Sequence, residues 1–278
     1  MQLLERSCRD DMKPNVILNT WHGTMIVNRL DRHESRNGGP IGVGHQLLTT
    51  GAFDQAEVAF ATELLKAMRQ ALNRPVVAYD IGANIGCHSL VWARELGREI
   101  AICAVEAQPR IFHMLCGNVA INNLFNILPV NMAIGAGRDR LSFREPDYTK
   151  AGSFGSLELK QSKGSEFIGQ DLSGAPTVSV PMIPLSDLQP YPPDFIKIDI
   201  EGMECEALCD APDTVRHHRP IVLCEGIKVD QQRLRSFFSD NDYMYFVFGI
   251  NYLFVPKEAE WAQKFITPHL LTEENKPE

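Results

Sequence analysis

From residue 76 to residue 225 the chain alternates short apolar, β-rich runs with segments of helical periodicity, and this alternation limits its fold more than any other feature. Val76-Val77-Ala78-Tyr79 reads as a buried strand and residues 87–96 as a helix closed by Gly97. Residues 100–105 form an apolar strand, Pro109 opens a helix with Ile111, Phe112 and Leu115 on one side, and 127–134 holds another strand. Phe195-Ile196-Lys197-Ile198-Asp199 and Ile221-Val222-Leu223-Cys224 are two more, separated by a helix rich in small residues. This order packs as a mostly parallel sheet with helices on both faces. Two β-rich runs, 243–248 and 252–255, then flank a Gly-Ile-Asn turn and predict an antiparallel hairpin at one edge.

Ahead of the first strand, Val58, Ala61, Leu65, Met68 and Leu72 recur at helical spacing until Asn73-Arg74-Pro75 ends the helix. Asp54 and Glu57 have the spacing of a capping box at its start. Residues 1–50 differ in texture. Thr24-Met25-Ile26-Val27 is followed by Asn37-Gly38-Gly39-Pro40 and Gly42-Val43-Gly44, which break regular elements. The expectation is a cap of small strands and loops on a main domain spanning 51–278. One interval, 144–176, is polar and carries Gly152-Ser153-Phe154-Gly155-Ser156. A long irregular stretch inside a compact domain is commonly functional or disordered, and this one is expected near an acceptor site. Beyond it Val178, Val180 and Met182 alternate onto one face.

The net charge of -8, from 35 acids against 27 bases, argues against a broad phosphate-binding surface and so against nucleic acid as partner. Cysteines at 8, 87, 103, 116, 205, 209 and 224 are odd in number and lack paired CxxC units, which fits reduced thiols. Cys205 and Cys209 share a helix face without further ligands for a metal. The opening MQLLERSCRDDMK lacks the apolar stretch of a secretory signal, and no run approaches the roughly 20 apolar residues of a membrane span. A soluble, cytoplasmic protein with no membrane partner is expected. Tyr191-Pro192-Pro193-Asp194 precedes a strand and reads as a loop, not as the Pro-Pro signature of base-methylating enzymes.

The first strand ends in Asp80-Ile81-Gly82-Ala83-Asn84-Ile85-Gly86, a D-x-G-x-x-x-G turn leading into a helix. In open α/β sheets ligands bind at the carboxyl ends of the strands. Glu106 ends the next strand, about 25 residues downstream, where an acid can accept hydrogen bonds from both ribose hydroxyls of a nucleoside cofactor. The loop lacks a glycine at position 84 and places a carboxylate before Gly82, which disfavours the pyrophosphate of NAD and suits the cationic end of S-adenosylmethionine. Lys197-Ile198-Asp199-Ile200-Glu201-Gly202 then sets three charged side chains within five positions of an apolar strand. Buried charges are costly unless paired, so an internal Lys–Asp bridge is the alternative to a catalytic role.

Asp-Ile-Gly-Ala-Asn-Ile-Gly, Val-Glu-Ala-Gln-Pro and Ile-Lys-Ile-Asp-Ile-Glu-Gly together resemble the FkbM family of methyltransferases. The likeness runs over about 51–225 and takes in the stretch from Gly51 to Glu57, Asn118 with Asn122, the stretch from Ser153 to Leu157, and Leu185-Ser186-Asp187-Leu188. It implies a class I, Rossmann-like methyltransferase fold with a seven-stranded, mostly parallel sheet, and S-adenosylmethionine as methyl donor. The usual acceptor of the family is a hydroxyl of a sugar, glycan or natural product. Expected cofactor residues are Asp80, Gly82, Asn84 and Gly86 near the methionine part, Glu106 and Ala107 at the ribose, and Met132 and Ala133 beside the adenine. Asp199 or Glu201 is the expected base, with Lys197 orienting the carboxylate; His88 is an alternative base, and Glu225 an acceptor contact. No metal is expected, although Asp199, Glu201 and Glu225 are the acids that would hold Mg²⁺. A non-catalytic nucleotide-binding scaffold and an NAD-dependent Rossmann enzyme are the rival readings.

Overall fold

The computed structural model describes residues 13–34, 38–162, 164–188 and 192–270; the opening twelve residues with Cys8, Asn37 and Tyr191 lie outside these. An N-terminal hairpin pairs β1 (Asn15–Thr20) with β2 (Gly23–Asn28), and β3 (His33–Glu34) pairs with β4 (Pro40–Ile41). The segment next to them is not a loop. It is helix α1 (Val43–Thr50), despite its two glycines. Its cap is non-local: Asp31 accepts from the Gly44 N–H through Oδ2 (2.9 Å) and from the His45 N–H through its carbonyl (3.0 Å). A cap supplied from that far back leaves no local signature.

Helix α2 (Gln55–Leu72) leads to β5 (Val76–Ile81), α3 (Cys87–Leu96), β6 (Ile100–Val105), α4 (Pro109–Ile121) and β7 (Ile127–Val130). The capping box is not formed. Asp54 is left-handed at φ 40° and makes no side-chain cap bond, while Glu57 turns to His88 and Asn251. Next come β8 (Ala133–Ile134), β9 (Asp139–Arg144) and β10 (Thr177–Ile183), which make a small separate sheet in the order β8-β10-β9. The chain continues through β11 (Phe195–Ile198), α5 (Glu204–Leu208), α6 (Asp213–His218), β12 (Ile221–Glu225) and α7 (Gln231–Asp240). Strands β13 (Tyr243–Phe248) and β14 (Asn251–Pro256) and helix α8 (Glu260–Leu270) close it.

The principal sheet has seven strands in the order β13-β14-β12-β11-β5-β6-β7. Its inner strands pair in parallel, whereas β14 is antiparallel to both β12 and β13. This is the class I methyltransferase-like fold. Period-two alternation sorts the strand residues onto two cores. Ala78, Ile102, Phe195, Leu223 and Leu253 face one, with Leu64, Leu90, Trp92 and Leu115 of the helices. Tyr79, Cys103, Ile196, Val222 and Phe254 face the other, with Leu208, Leu234 and Phe238. Beyond β9, the described residues of the interval 144–176 form no helix or strand but are packed: Leu157, Ile168 and Leu172 are buried with Leu141, Phe143 and Val180 of the small sheet. Among the described residues no helix is long and apolar enough to cross a membrane.

Side-chain amides weld the hairpin to the main sheet's helix layer. Asn118 and Asn122, one turn apart on α4, pair with the main chain of β2 as a neighbouring strand would. Asn118 accepts from the Ile26 N–H (2.6 Å) and donates to the Ile85 carbonyl (2.9 Å); Asn122 accepts from Thr24 N–H (3.1 Å) and donates back to its carbonyl (2.7 Å). Asn118 is fully buried. Asn118→Leu should therefore strand buried backbone donors and acceptors and cost about 2–4 kcal/mol in urea unfolding, whereas a loss below about 0.5 kcal/mol would show that water replaces the amide.

Candidate functional site

At the carboxyl ends of β5, β6, β11 and β12 lies a cavity of about 490 Å³, within the roughly 300–1,000 Å³ that holds small ligands. A larger depression of about 1100 Å³ between the hairpin, α4 and residues 145–176 shares no lining residue with it and includes no residue of these four strands. Two of its cations are already paired, Arg110 with Glu145 at 3.8 Å and Lys150 with Asp147 at 3.0 Å. The chemistry gathers in the smaller cavity.

Lys197 organises its floor. It lies directly opposite Asp80 in the β5–β11 register and is buried. Its ammonium donates to the Gly82 carbonyl (3.1 Å) and faces Asp80 at 3.8 Å and Asp199 at 3.5 Å. Burial opposes this charge, but Asp199, Asp80, Glu57 and Glu225 outweigh burial and raise the pKa, so the lysine stays protonated. The turn it holds is tight. Gly82 sits at φ 76°, and a Cβ there would lie 1.8 Å from the Asp199 carbonyl oxygen.

Most of the residues singled out from sequence line this cavity: Gly82, Asn84, Glu106, Ala107, Met132, Ala133, Lys197, Asp199 and Glu201. Two do not. Asp80 is fully buried behind the loop, with Oδ2 accepting from the Ser89 hydroxyl (2.5 Å), so it braces the turn. Gly86 faces the helices instead: a Cβ would lie 2.8 Å from Leu115 Cδ1, and its φ of 97° turns the chain into α3. Glu106 is buried and accepts backbone N–H groups from Asn84 (2.9 Å) and Gln108 (2.8 Å), one on each oxygen. A carboxylate oxygen has a second lone-pair site, so both remain able to take a ligand hydroxyl. Burial pushes its pKa up to about 7, against the pull of those two N–H groups.

Glu201 is left-handed at φ 55° and ion-paired to Lys228 at 2.5 Å, so it does not join the acids that sequence grouped it with. Asp199 and Glu225 instead approach Glu204, with one oxygen of each within 4.8 Å of the others. Glu204 uses both oxygens to hold the turn, accepting from Ile200 N–H (2.8 Å) and Gly202 N–H (3.0 Å). Asp199 Oδ1 and Glu225 Oε2 are buried without a partner. Burial, with Asp199 and Glu204 adding to it, lifts the Glu225 pKa to about 8.

Residues 153–166 form another wall. The Phe154 N–H donates to Asp31 (3.0 Å) and its carbonyl accepts from Gln108 Nε2 (2.9 Å), which seats Ser153, Gly155, Ser156 and Leu157 on the cavity. Lys228 ties the far side through Glu166 (2.8 Å) and the Ser156 carbonyl (3.2 Å). Glu57, Asn251 and Lys228 also line the site, and sequence reasoning passed over them: Glu57 mimicked a cap, and the other two stand in no motif.

The sequence pattern of the "Methyltransferase FkbM domain" matches residues 80–245, which include the glycine turn, Glu106 and the 197–202 segment. The chain belongs to the FkbM methyltransferase family. That family is one of S-adenosylmethionine-dependent methyltransferases, which speaks against the dehydrogenase reading. No curated protein sequence matches it significantly. Among solved structures it is similar to the methyltransferase FkbM from Methylobacillus flagellatus KT, at 16% identity and TM-score 0.46, covering 65% of this chain and 43% of that one. It is also similar to precorrin-6y C5,15-methyltransferase from Geobacter metallireducens GS-15, at 15% identity and TM-score 0.40, over 69% and 83% of the two chains. A third is the Pyrococcus abyssi tRNA (uracil-54, C5)-methyltransferase in complex with S-adenosyl-L-homocysteine, at 9% identity and TM-score 0.43, over 87% and 44%. This methyltransferase thus spans less than half the length of the first and the third of these proteins.

Because the Gly82 turn has no room for a side chain, Gly82→Ala should cost this methyltransferase about 2 kcal/mol or more of stability and abolish S-adenosylhomocysteine binding by calorimetry; an unchanged melting point with intact binding would refute the assigned packing.

Proposed function

We propose that this enzyme O-methylates a hydroxyl of a sugar, glycan or natural-product small molecule. The observation that carries the reading is Asp199, which lines the cavity with a partly exposed side chain and whose Oδ1 has no protein partner. A buried polar atom of this kind calls for a donor from the ligand, and a hydroxyl-rich acceptor has several. Lys197, 3.5 Å from the other oxygen, holds the carboxylate in place. The net charge of -8 speaks for a small or glycan acceptor over nucleic acid.

The donor half follows from the chemistry of its wall. Glu106 takes the ribose hydroxyls on its two remaining acceptor sites, with Ala107 beside it. Met132 and Ala133 offer an apolar flank for the adenine, and Gly82 and Asn84 border the methionine part. When bound, S-adenosylmethionine supplies an electrophilic methyl group, and the enzyme's own residues hold the acceptor oxygen in line with it. Asp199 and Lys197 do this positioning. Glu201 braces Lys228, which secures the wall through Glu166.

Donor binding should require an ionised Glu106. With its pKa near 7, the ionised fraction falls about tenfold from pH 8 to pH 6. Affinity for S-adenosylhomocysteine, measured by calorimetry, should weaken by about that factor over the same interval; Glu106→Gln should bind at least 10-fold more weakly and lose the pH dependence. A flat profile in the native enzyme would reject the ribose assignment.

The acceptor class is tested with methyl-labelled donor and a panel of polyols, oligosaccharides and hydroxylated polyketides, each beside its amino counterpart. Label in an O-methyl ether is expected, and Asp199→Asn should reduce the rate by about 100-fold at unchanged donor affinity. Label found only on nitrogen or carbon would refute the proposal. Activity should survive chelation by EDTA, since Glu204 is committed to its turn. Loss on chelation, restored by Mg²⁺, would assign an ion to Asp199, Glu204 and Glu225.

A further inference from the structure

Three residues far apart in sequence meet on the cavity wall: Glu57 of α2, His88 in the first turn of α3, and Asn251 at the start of β14. His88 Nε2 lies 3.0 Å from Glu57 Oε1, and the Asn251 amide donates to the second Glu57 oxygen. His88 and Asn251 are buried, at 6% and 7% exposure, and the imidazole edge packs on Trp92. Glu57 is ionised. Burial would raise its pKa, yet the hydrogen bond and charge of His88, the charge of Lys197 and the Asn251 amide bring it below its usual value.

An ionised carboxylate only accepts, so Nε2 carries the hydrogen shared with Glu57, and the tautomer that fits this pair has its lone pair on Nδ1. Nδ1 has no hydrogen-bond partner among the described residues, and His88 lines the cavity. Of the acids that sequence nominated as bases, Glu201 answers Lys228, and Asp199 turns Oδ2 to Lys197 and keeps only Oδ1 for a ligand. Other titratable groups around His88 are Asp54 on α2, His22 of the hairpin turn, and Lys197 with Asp199 at the end of β11. Burial pushes the His22 pKa down to about 4, and its ring bridges the Cys87 carbonyl and the Phe53 N–H, so it is neutral and committed.

We propose that His88 Nδ1 is the proton acceptor of the reaction, with Glu57 as its positioning residue and Asn251 holding Glu57. The assignment rests on the hydroxyl reading above. As the oxygen–methyl bond forms and the sulfur–methyl bond breaks, the hydroxyl proton passes to Nδ1. The positive charge lost from sulfur reappears on the imidazolium, beside the Glu57 carboxylate. Asp199 then anchors a neighbouring donor of the acceptor and does not compete for the reacting proton.

Two measurements test this. Long-range ¹H–¹⁵N correlation of the ligand-free enzyme at pH 8 should find His88 as the Nε2–H tautomer, and Glu57→Gln should move the hydrogen to Nδ1 by offering its amide to Nε2. A native Nδ1–H tautomer would overturn the proposal without any assay of turnover. In methyl transfer to a hydroxyl acceptor from the panel, His88→Ala should lower kcat by about 100-fold or more, with S-adenosylhomocysteine affinity within twofold of native and partial recovery in added imidazole. Should that variant fold poorly, His88→Gln keeps a donor to Glu57 and should show the same loss of kcat with native melting. Glu57→Gln should lower kcat and leave KM unchanged. More than a tenth of native kcat in His88→Gln would overturn the assignment. A native enzyme that methylates no hydroxyl would instead overturn the O-methyl reading, and this assignment with it.

Discussion

The buried Lys197 ammonium is the interaction on which the site depends. It joins the ends of β5 and β11, the two adjacent strands whose loops form the cavity floor, through the Gly82 carbonyl, Asp80 and Asp199. An ammonium removed from water is expensive unless opposite charge surrounds it, and here two aspartates do. The arrangement explains why both an acid before the glycine and a lysine in the middle of an apolar strand are present. They stand opposite one another in register, and neither is tolerable alone. The alternatives that sequence left open, a structural Lys–Asp bridge and a catalytic cluster, are both part of one network. Asp80 serves the bridge, and Asp199 extends from it into the cavity.

The main sheet was legible because its signal is local. Each strand is a short apolar run, each helix carries its own periodicity, and the terminal hairpin follows from two β-rich runs around one turn. What went unread was fixed from a distance. Helix α1 depends on Asp31, and the cap pattern at Asp54 and Glu57 fails because Glu57 finds stronger partners in His88 and Asn251. Likewise, spacing put Asp80 and Gly86 in the same turn as Gly82 but could not tell the face toward the ligand from the face toward Ser89 and Leu115. Glu201 was grouped with Asp199 by strand alternation, yet its left-handed backbone turns it to Lys228.

Residues 144–176 illustrate how an irregular segment acquires a fixed shape. Few of its backbone groups pair in ladders, so side chains from elsewhere take them. Asp31 and Gln108 grip the two sides of the Phe154 peptide, and the Tyr148 hydroxyl donates to the same Gln108 (2.9 Å). Gln108 thus links the Glu106 end of the cavity to its wall, which gives the glutamine of Val-Glu-Ala-Gln-Pro a definite job. The apolar residues of the segment complete the anchoring by packing on the small sheet.

That wall is secured differently at its two ends. Near Phe154 it is held by buried neutral and anionic groups in a packed core, but on the far side it rests on one ammonium, Lys228, shared between Glu166, Glu201 and the Ser156 carbonyl. Lys228 and Glu201 are only 18% and 16% exposed, and a pair so far removed from solvent is screened weakly by salt. The wall therefore has a hydrogen-bonded anchorage at one end and an ionic one at the other, and what undoes the ionic one is loss of charge on its carboxylates, not added salt.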